Sequence, residues 1–150
     1  MTADLRRVVV GVDGSDDARH ALEWAIVLAR ASGAGVTAVH ALGLMDRLDA
    51  QPVATSPHRE EIVDRFRRVW CAPLDDAGVP DARIVADGPP ADVILAAARD
   101  HDADLVVVGE RGIGGSGAAE LGSTSRRVLA ECGRPVLVVP RRDQRRAASP

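Results

Sequence analysis

Residues 109–127 read GERGIGGSGAAELGSTSRR. Six glycines stand in that stretch, directly after the apolar run Leu105-Val106-Val107-Val108 and before a Ser-Thr-Ser cluster. Glycine loses more backbone freedom on folding than any other residue, so such a density implies tight turns, positive φ or a close approach to the chain. The run before it does not alternate and reads as a strand buried on both faces. From about Ser123 to Glu131 the pattern becomes that of a short helix. A strand, a glycine loop and a helix N-terminus in succession form a device that holds phosphate.

The same pattern recurs outward from this stretch. Arg7-Val8-Val9-Val10-Gly11-Val12-Asp13 is another apolar run ending in polar residues, read as the first strand. Ser15 or Asp16 suits the cap of the next helix; Ala21, Leu22, Ala25, Leu28 and Ala29 fall at helical spacing, with Gly33 as its stop. Val36 to Leu42 reads as the second strand, and residues 43–57, with two prolines and little periodicity, as a loop. Pro57 suits the start of a helix with the stripe Ile62, Val63, Phe66, Val69 and Trp70, which Pro73 should end or kink. Arg83 to Ala86 is a third strand, and Pro89-Pro90 opens a helix carrying Ile94, Leu95, Ala97 and Ala98. Leu105 to Val108 is the fourth strand and Pro135 to Val139 the fifth.

Strands alternating with helices predict an α/β fold. The expected form is a doubly wound, five-stranded parallel sheet with helices on both faces and right-handed crossovers, Rossmann-like in kind. Ligands of such sheets sit beyond the strand carboxyl ends, at a topological switch point. The first strand, ending at Asp13, and the fourth, ending at Gly109, carry the loops suited to share that crevice.

Composition narrows the chemistry. A chain of 150 residues has the length of one domain, enough to bury roughly 70% of its unfolded surface. Residues 1–140 are expected to form that domain, and the Arg-rich residues 141–150 a disordered tail, a solubilising end more than a nucleic-acid contact. No run reaches the ~18 apolar residues of a membrane span, and no signal-peptide core stands at the N-terminus. The net charge of −3 gives no reason to expect nucleic acid or anionic membrane as a partner. Cys71 and Cys132 lie far apart without a CxxC, which suits a reduced, cytoplasmic protein. All 19 basic residues are arginine. A Walker A loop needs a lysine, so P-loop chemistry is excluded in its usual form, and lysine nucleophiles with it.

Three accounts of the glycine loop compete. Gly112-Ile113-Gly114-Gly115-Ser116-Gly117 satisfies GxGxxG, yet Ala118-Ala119-Glu120-Leu121 intervenes before the helix and one strand alone remains to supply the distal acid. A merely connecting loop is the plain alternative, although loops of this length are uncommon without a function. The third account takes the glycines as a spaced set: Gly109, two residues, Gly112, nine residues, then Gly122 and Ser123. That spacing resembles the ATP-binding signature of the universal stress protein family. The resemblance runs from Arg7 to Pro140 and includes Val12-Asp13-Gly14-Ser15, Gly88-Pro89-Pro90-Ala91 and Arg134-Pro135-Val136-Leu137-Val138-Val139-Pro140. The physics agrees independently. Gly109 and Gly112 let the backbone bend and offer amides to anionic oxygens, and the helix opening at Gly122-Ser123-Thr124-Ser125 favours phosphate. The hydroxyls of Ser123 and Ser125 are further donors, and Ser123 also suits the N-cap.

The resemblance implies an ATP-binding fold and site. By it, Val12 and Asp13 lie near the ribose and a phosphate-bound magnesium ion, the plainer role of Asp13 being that of a turn or cap residue. Ala41, at the end of the second strand, would meet adenine through its backbone, with His40 beside it as a packed residue. Val108, Gly109, Arg111 and Gly112 would form the first half of the phosphate loop, and Gly122, Ser123, Thr124 and Ser125 the second. Arg111 either pairs with phosphate through its guanidinium or is solvated. The resemblance also implies a homodimer through the last strand, Val136–Val139.

Enzymatic alternatives have less to rest on. The histidines at 20, 40, 58 and 101 lack metal-site spacing, and no GxSxG, SGGxDS or HxGH loop is present. The expectation is therefore an ATP-binding, stress-response or regulatory protein with slow or no hydrolysis. A dimeric interaction module of the same fold without ATP, and an adenine-nucleotide-dependent enzyme, remain as alternatives.

Overall fold

A computed structural model describes residues 4–42, 47–48, 51–52, 56–111 and 121–141. Its elements are β1 (Arg7–Gly11), α1 (Asp16–Ser32), β2 (Gly35–Leu42), β3 (Arg47–Leu48), β4 (Gln51–Pro52), α2 (Ser56–Arg65), β5 (Asp81–Asp87), α3 (Pro90–Asp100), β6 (Leu105–Gly109), α4 (Ser123–Glu131) and β7 (Val136–Val139). Five strands form one parallel sheet in the order β5-β2-β1-β6-β7. The chain runs outward from β1 to β2 and β5, then returns to the other side for β6 and β7. The switch point therefore lies between β1 and β6, whose register pairs Val10 with Val107.

The unbroken valine runs reflect two buried faces. Val8, Val10 and Val107 point to a core shared with Ala21, Leu22, Ala25 and Ala29 of α1 and with Phe66. Val9, Val106 and Val108 point the other way, onto Ala91, Ile94 and Ala98 of α3 and Val128 of α4. Successive strand residues face opposite sides, so a strand covered on both must be apolar throughout. Each buried valine or leucine contributes about 1.5–3 kcal/mol.

Local signals set the helix ends. Ser15 caps α1, its hydroxyl accepting from the Ala18 N–H at 3.2 Å. Gly33 closes α1, its N–H returning to the Ala29 carbonyl at 2.8 Å. Pro90 opens α3 at its first turn.

Several boundaries differ from the sequence expectation. β1 ends at Gly11 rather than Asp13, although the Val12 N–H still reaches the Val39 carbonyl at 2.9 Å. β5 extends from Asp81 to Asp87, beyond the expected Arg83–Ala86, and pairs with β2 to its end, Ala41 opposite Ala86. Within 43–57, Arg47–Leu48 pairs antiparallel with Gln51–Pro52, and α2 begins at Ser56. The chain leaves α-helical geometry before Pro73: after Arg65 come a π-helical turn, Phe66–Trp70, and a 3-10 turn, Ala72–Leu74. Proline cannot donate to the carbonyl of residue 69 and its ring crowds it. Widening the preceding turn, with the Cys71 N–H on the Phe66 carbonyl at 3.0 Å, absorbs the conflict. The hexad 112–117, which includes Gly112 of the spaced set, and tail residues 142–150 lie outside the described residues.

Candidate functional site

The carboxyl ends of β1, β2 and β6 frame the switch point, where doubly wound sheets hold their ligands, and the exits of these strands are built differently. At the end of β1, Val12 is buried. Its carbonyl accepts a hydrogen bond from His40 Nδ1 at 2.8 Å, which fixes the imidazole tautomer with the proton on Nδ1. His40 stacks on Phe66, centroids 5.6 Å apart, and meets Trp70 edge-on at 5.1 Å. Burial pushes its pKa below 6.5, while the Val12 carbonyl and the Asp13 charge oppose that shift. Asp13 Oδ1 accepts both the N–H and the hydroxyl of Ser15, at 2.9 and 2.5 Å. That is the turn-and-cap role, and it holds the carboxylate at the crevice rim. Gly14 sits at φ +84°, and a Cβ there would lie 2.6 Å from Trp70 Cε2, so both backbone and packing require glycine.

β2 outruns β1. Gly11 pairs with Val39, and residues 40–42 continue against β5 alone. Peptide groups alternate in direction along a strand. Because the Val39 carbonyl faces the β1 side, where the Val12 N–H reaches it, the N–H and C=O of Ala41 face that side too, beyond the end of β1.

At the end of β6 the two halves of the spaced glycine set come together. The Gly122 N–H donates to the Glu110 carbonyl at 2.9 Å, and the Ser125 hydroxyl to the Gly109 carbonyl at 2.6 Å. The chain between Glu110 and Gly122 thus leaves and returns at one point. Gly109 approaches α1 so closely that a Cβ would lie 2.9 Å from the backbone carbon and oxygen of Asp17. The Glu110 N–H goes to the Val139 carbonyl at 2.9 Å and the Arg111 N–H to Asp17 Oδ2 at 3.2 Å. These amides are therefore committed to the scaffold.

Four residue roles change accordingly. The buried Ser125 spends its one proton on Gly109, so it joins the halves of the motif and offers no donor to phosphate. Gly122, at φ −61° and ψ 157°, is the N-cap of α4; Ser123 is the first helical residue and its side chain is exposed. Arg111 is 9% exposed, which removes the solvated alternative. Val108 is core, so any ligand contact it makes is through backbone. The donors left to the crevice are the hydroxyls of Ser123 and Thr124 and the N–H groups of the first α4 turn, which a helix leaves without intrahelical partners.

Asp17 is the residue that sequence reasoning passed over. It is 6% exposed, a carboxylate in the first turn of α1. Its position was the available signal: it lies four residues before Ala21 and eight before Ala25, on the buried stripe. A carboxylate at such a place must be paired.

Among the described residues no group of three or more His, Cys, Asp or Glu is placed to hold a metal ion. Magnesium typically binds through one or two carboxylates together with substrate phosphates. Asp13 could serve as one such carboxylate. No described helix is long and apolar enough to cross a membrane.

A parallel sheet in the order β5-β2-β1-β6-β7, with helices on both faces and its switch point between β1 and β6, defines a Rossmann-like, doubly wound α/β domain. Residues 4–140 match the model of the universal stress protein family, and the chain belongs to that family. It is 35% identical over 135 residues to the universal stress protein in the QAH/OAS sulfhydrylase 3′ region of Thermus aquaticus, covering 89% of this chain and 98% of that protein. Hypothetical protein MJ0577 shares the fold with a TM-score of 0.81 at 22% identity, over 92% of this chain and 97% of that one. A universal stress protein solved in complex with cAMP superposes with a TM-score of 0.70 at 28% identity, over 91% and 98% of the two chains.

Proposed function

We propose that this protein is an ATP-binding regulatory member of the family that holds its nucleotide at the switch-point crevice and hydrolyses it slowly or not at all. The observation that carries the proposal is the closure of the spaced motif. Gly122 returns to Glu110 and Ser125 to Gly109, which sets the N-terminus of α4 against the exit of β6, the strand next to β1. The α4 N-terminus and the hydroxyls of Ser123 and Thr124 would take the phosphates, with Arg111 and Gly112 completing the loop. Asp13 would face the ribose and the ion carried by Mg-ATP, and the Ala41 backbone would face adenine. The cAMP complex of a 28%-identical relative supports an adenine nucleotide as the ligand class. The expectation of slow turnover rests on the sequence, in which neither paired carboxylates nor histidines at metal-site spacing stand out.

Calorimetric titration of nucleotide-stripped protein with Mg-ATP, using AMP, GTP and NADH as comparators, tests the reading. Selective ATP binding is the expected result; no binding to any of them would overturn it. Gly122→Val sharpens the test. The Gly122 backbone at φ −61° accepts valine, so the substitution costs the fold about 1 kcal/mol as a poorer cap while filling the space before the first-turn amides. ATP binding should be lost with the fold intact, and unchanged binding would remove this loop from the site.

A second reading has an observation of its own. β7 is an open sheet edge on which Val136, Leu137 and Val138 are only partly buried, and Leu129 of α4 and Trp24 and Val27 of α1 are exposed. An apolar edge of this kind supports a homodimer through Val136–Val139, with or without nucleotide. Two free cysteines suit a cytoplasmic setting.

A further inference from the structure

The strongest unexplained group is Asp17. Its two carboxylate oxygens serve different parts of the chain: Oδ2 accepts the Arg111 N–H at 3.2 Å, and Oδ1 faces Arg141 Nε at 3.4 Å. Arg141 belongs to the segment that follows β7, at the far edge of the sheet. That segment is stitched to the β6 exit at two more points. The Arg141 N–H donates to Glu110 Oε2 at 3.0 Å, and the Val139 carbonyl accepts the Glu110 N–H at 2.9 Å. His20, one turn along α1, meets the Pro140 carbonyl at 3.2 Å. A buried carboxylate thus fixes where the glycine loop departs and also anchors residues 139–141 against it.

We propose that Asp17 is a positioning residue of the nucleotide site, and that through it the affinity of the glycine loop depends on Arg141. This inference rests on the nucleotide reading above. The physical reason is that the β6 exit is held from outside its own strand, the Arg111 N–H on Asp17 and the Gly122 N–H on the Glu110 carbonyl. The place where the Arg111 amide is held then decides whether the β6 exit and the α4 N-terminus stand correctly spaced for one phosphate chain. Arg141 neutralises the carboxylate that would otherwise sit buried at the mouth of an anion site, where a bare negative charge opposes phosphate. Removing Arg141 should therefore weaken binding although it is a surface residue, 56% exposed by side chain.

The test is a cycle of Asp17→Ala, Arg141→Ala and the double variant, read by Mg-ATP titration and by amide hydrogen exchange without nucleotide. Asp17→Ala is expected to weaken ATP binding tenfold or more and Arg141→Ala several-fold. The double variant should bind no worse than Asp17→Ala alone, since Arg141 acts through Asp17. The Arg111 amide should be protected from exchange in the wild type and lose that protection in Asp17→Ala. Wild-type affinity in Arg141→Ala, or additive losses in the double variant, would overturn the coupling. Arg141→Ala alters an exposed side chain, so it carries the decision even if Asp17→Ala fails to fold. If the wild type binds no nucleotide, the functional reading fails, while the exchange of the Arg111 amide still decides whether Asp17 holds the loop base. If the wild type binds and neither variant differs from it, the functional reading stands and this inference falls.

Discussion

The exits of β1 and β6 open into the same crevice and are secured in opposite ways. After β1 the Val12 peptide is held by Val39 and His40 of the adjacent β2, and the turn beyond it is satisfied within a few residues: Ser15 serves Asp13 and Ala18, and the helix follows at once. After β6 the bonds reach further, from Gly109 to Ser125, Glu110 to Val139, and Arg111 to Asp17 across 94 residues of sequence. A locally satisfied turn keeps its shape whatever its surroundings do. A junction held from three other elements keeps its shape only while all of them are in place. The β6 exit is thus the part of the crevice most open to influence from elsewhere, including the open edge at β7.

The largest expected effect breaks the remote junction. In Gly109→Val the first new carbon would lie 2.9 Å from the Asp17 backbone, which belongs to a packed helix and cannot turn aside as a side chain would. Overpacking of this kind typically costs about 1–3 kcal/mol, and the β-branch places this variant at the upper end. Urea denaturation should show that loss. A change within experimental error would mean that α1 shifts freely at its first turn, and the contrast between the two exits would collapse. The local exit should prove more forgiving. Ser15→Ala removes the α1 cap and one of the two bonds to Asp13, a loss of about 1 kcal/mol. If Ser15→Ala proved the more damaging, the β1 exit would be the critical one.

The same contrast explains what was legible in the sequence. The non-alternating runs at Val8–Val10 and Val106–Val108 announced strands covered on both faces, and their alternation with helices gave the parallel sheet and its switch point. Ser15 and Gly33 marked α1 by local chemistry. The 3-10 and π turns were half legible: Pro73 signalled a break, but relief upstream at Phe66–Trp70 depends on how the neighbouring turn can widen. β5 extends beyond its apolar centre because an edge strand gains its register from β2, which hydrophobic patterning does not report. At the candidate site the neighbouring exits of β1 and β6 followed from topology, and the pairing of 109–110 with 122–125 from the spaced motif. What holds them did not. Asp17 and Arg141 are 124 residues apart in sequence, and no pattern along a chain encodes such a pairing, although a charge on the buried stripe of α1 hinted at one. The cap of α4 was misplaced by one residue because glycine caps without a side-chain signature, while the serine beside it carries one.

The smallest effect lies on the β1 side and reads its packing through pH. His40 is held neutral by burial against Phe66 and Trp70, with Nδ1–H committed to the Val12 carbonyl. In the unfolded chain its imidazole takes up a proton near pH 6.5, whereas in the folded chain it does so at lower pH. Between those two values the unfolded state binds more protons, so stability rises with pH across that window. Acidification from neutrality should therefore lower the melting temperature below about pH 6.5, and the His40 contribution should level off once the folded pKa is passed. His40→Gln, whose amide can still donate to Val12, isolates the effect: the variant should melt with a shallower acid slope than the wild type between pH 7.5 and 5.5. Identical slopes would mean that His40 charges within the fold as readily as outside it. The aromatic packing around the β1 exit would then admit water, and that exit would no longer be the self-contained one of the two.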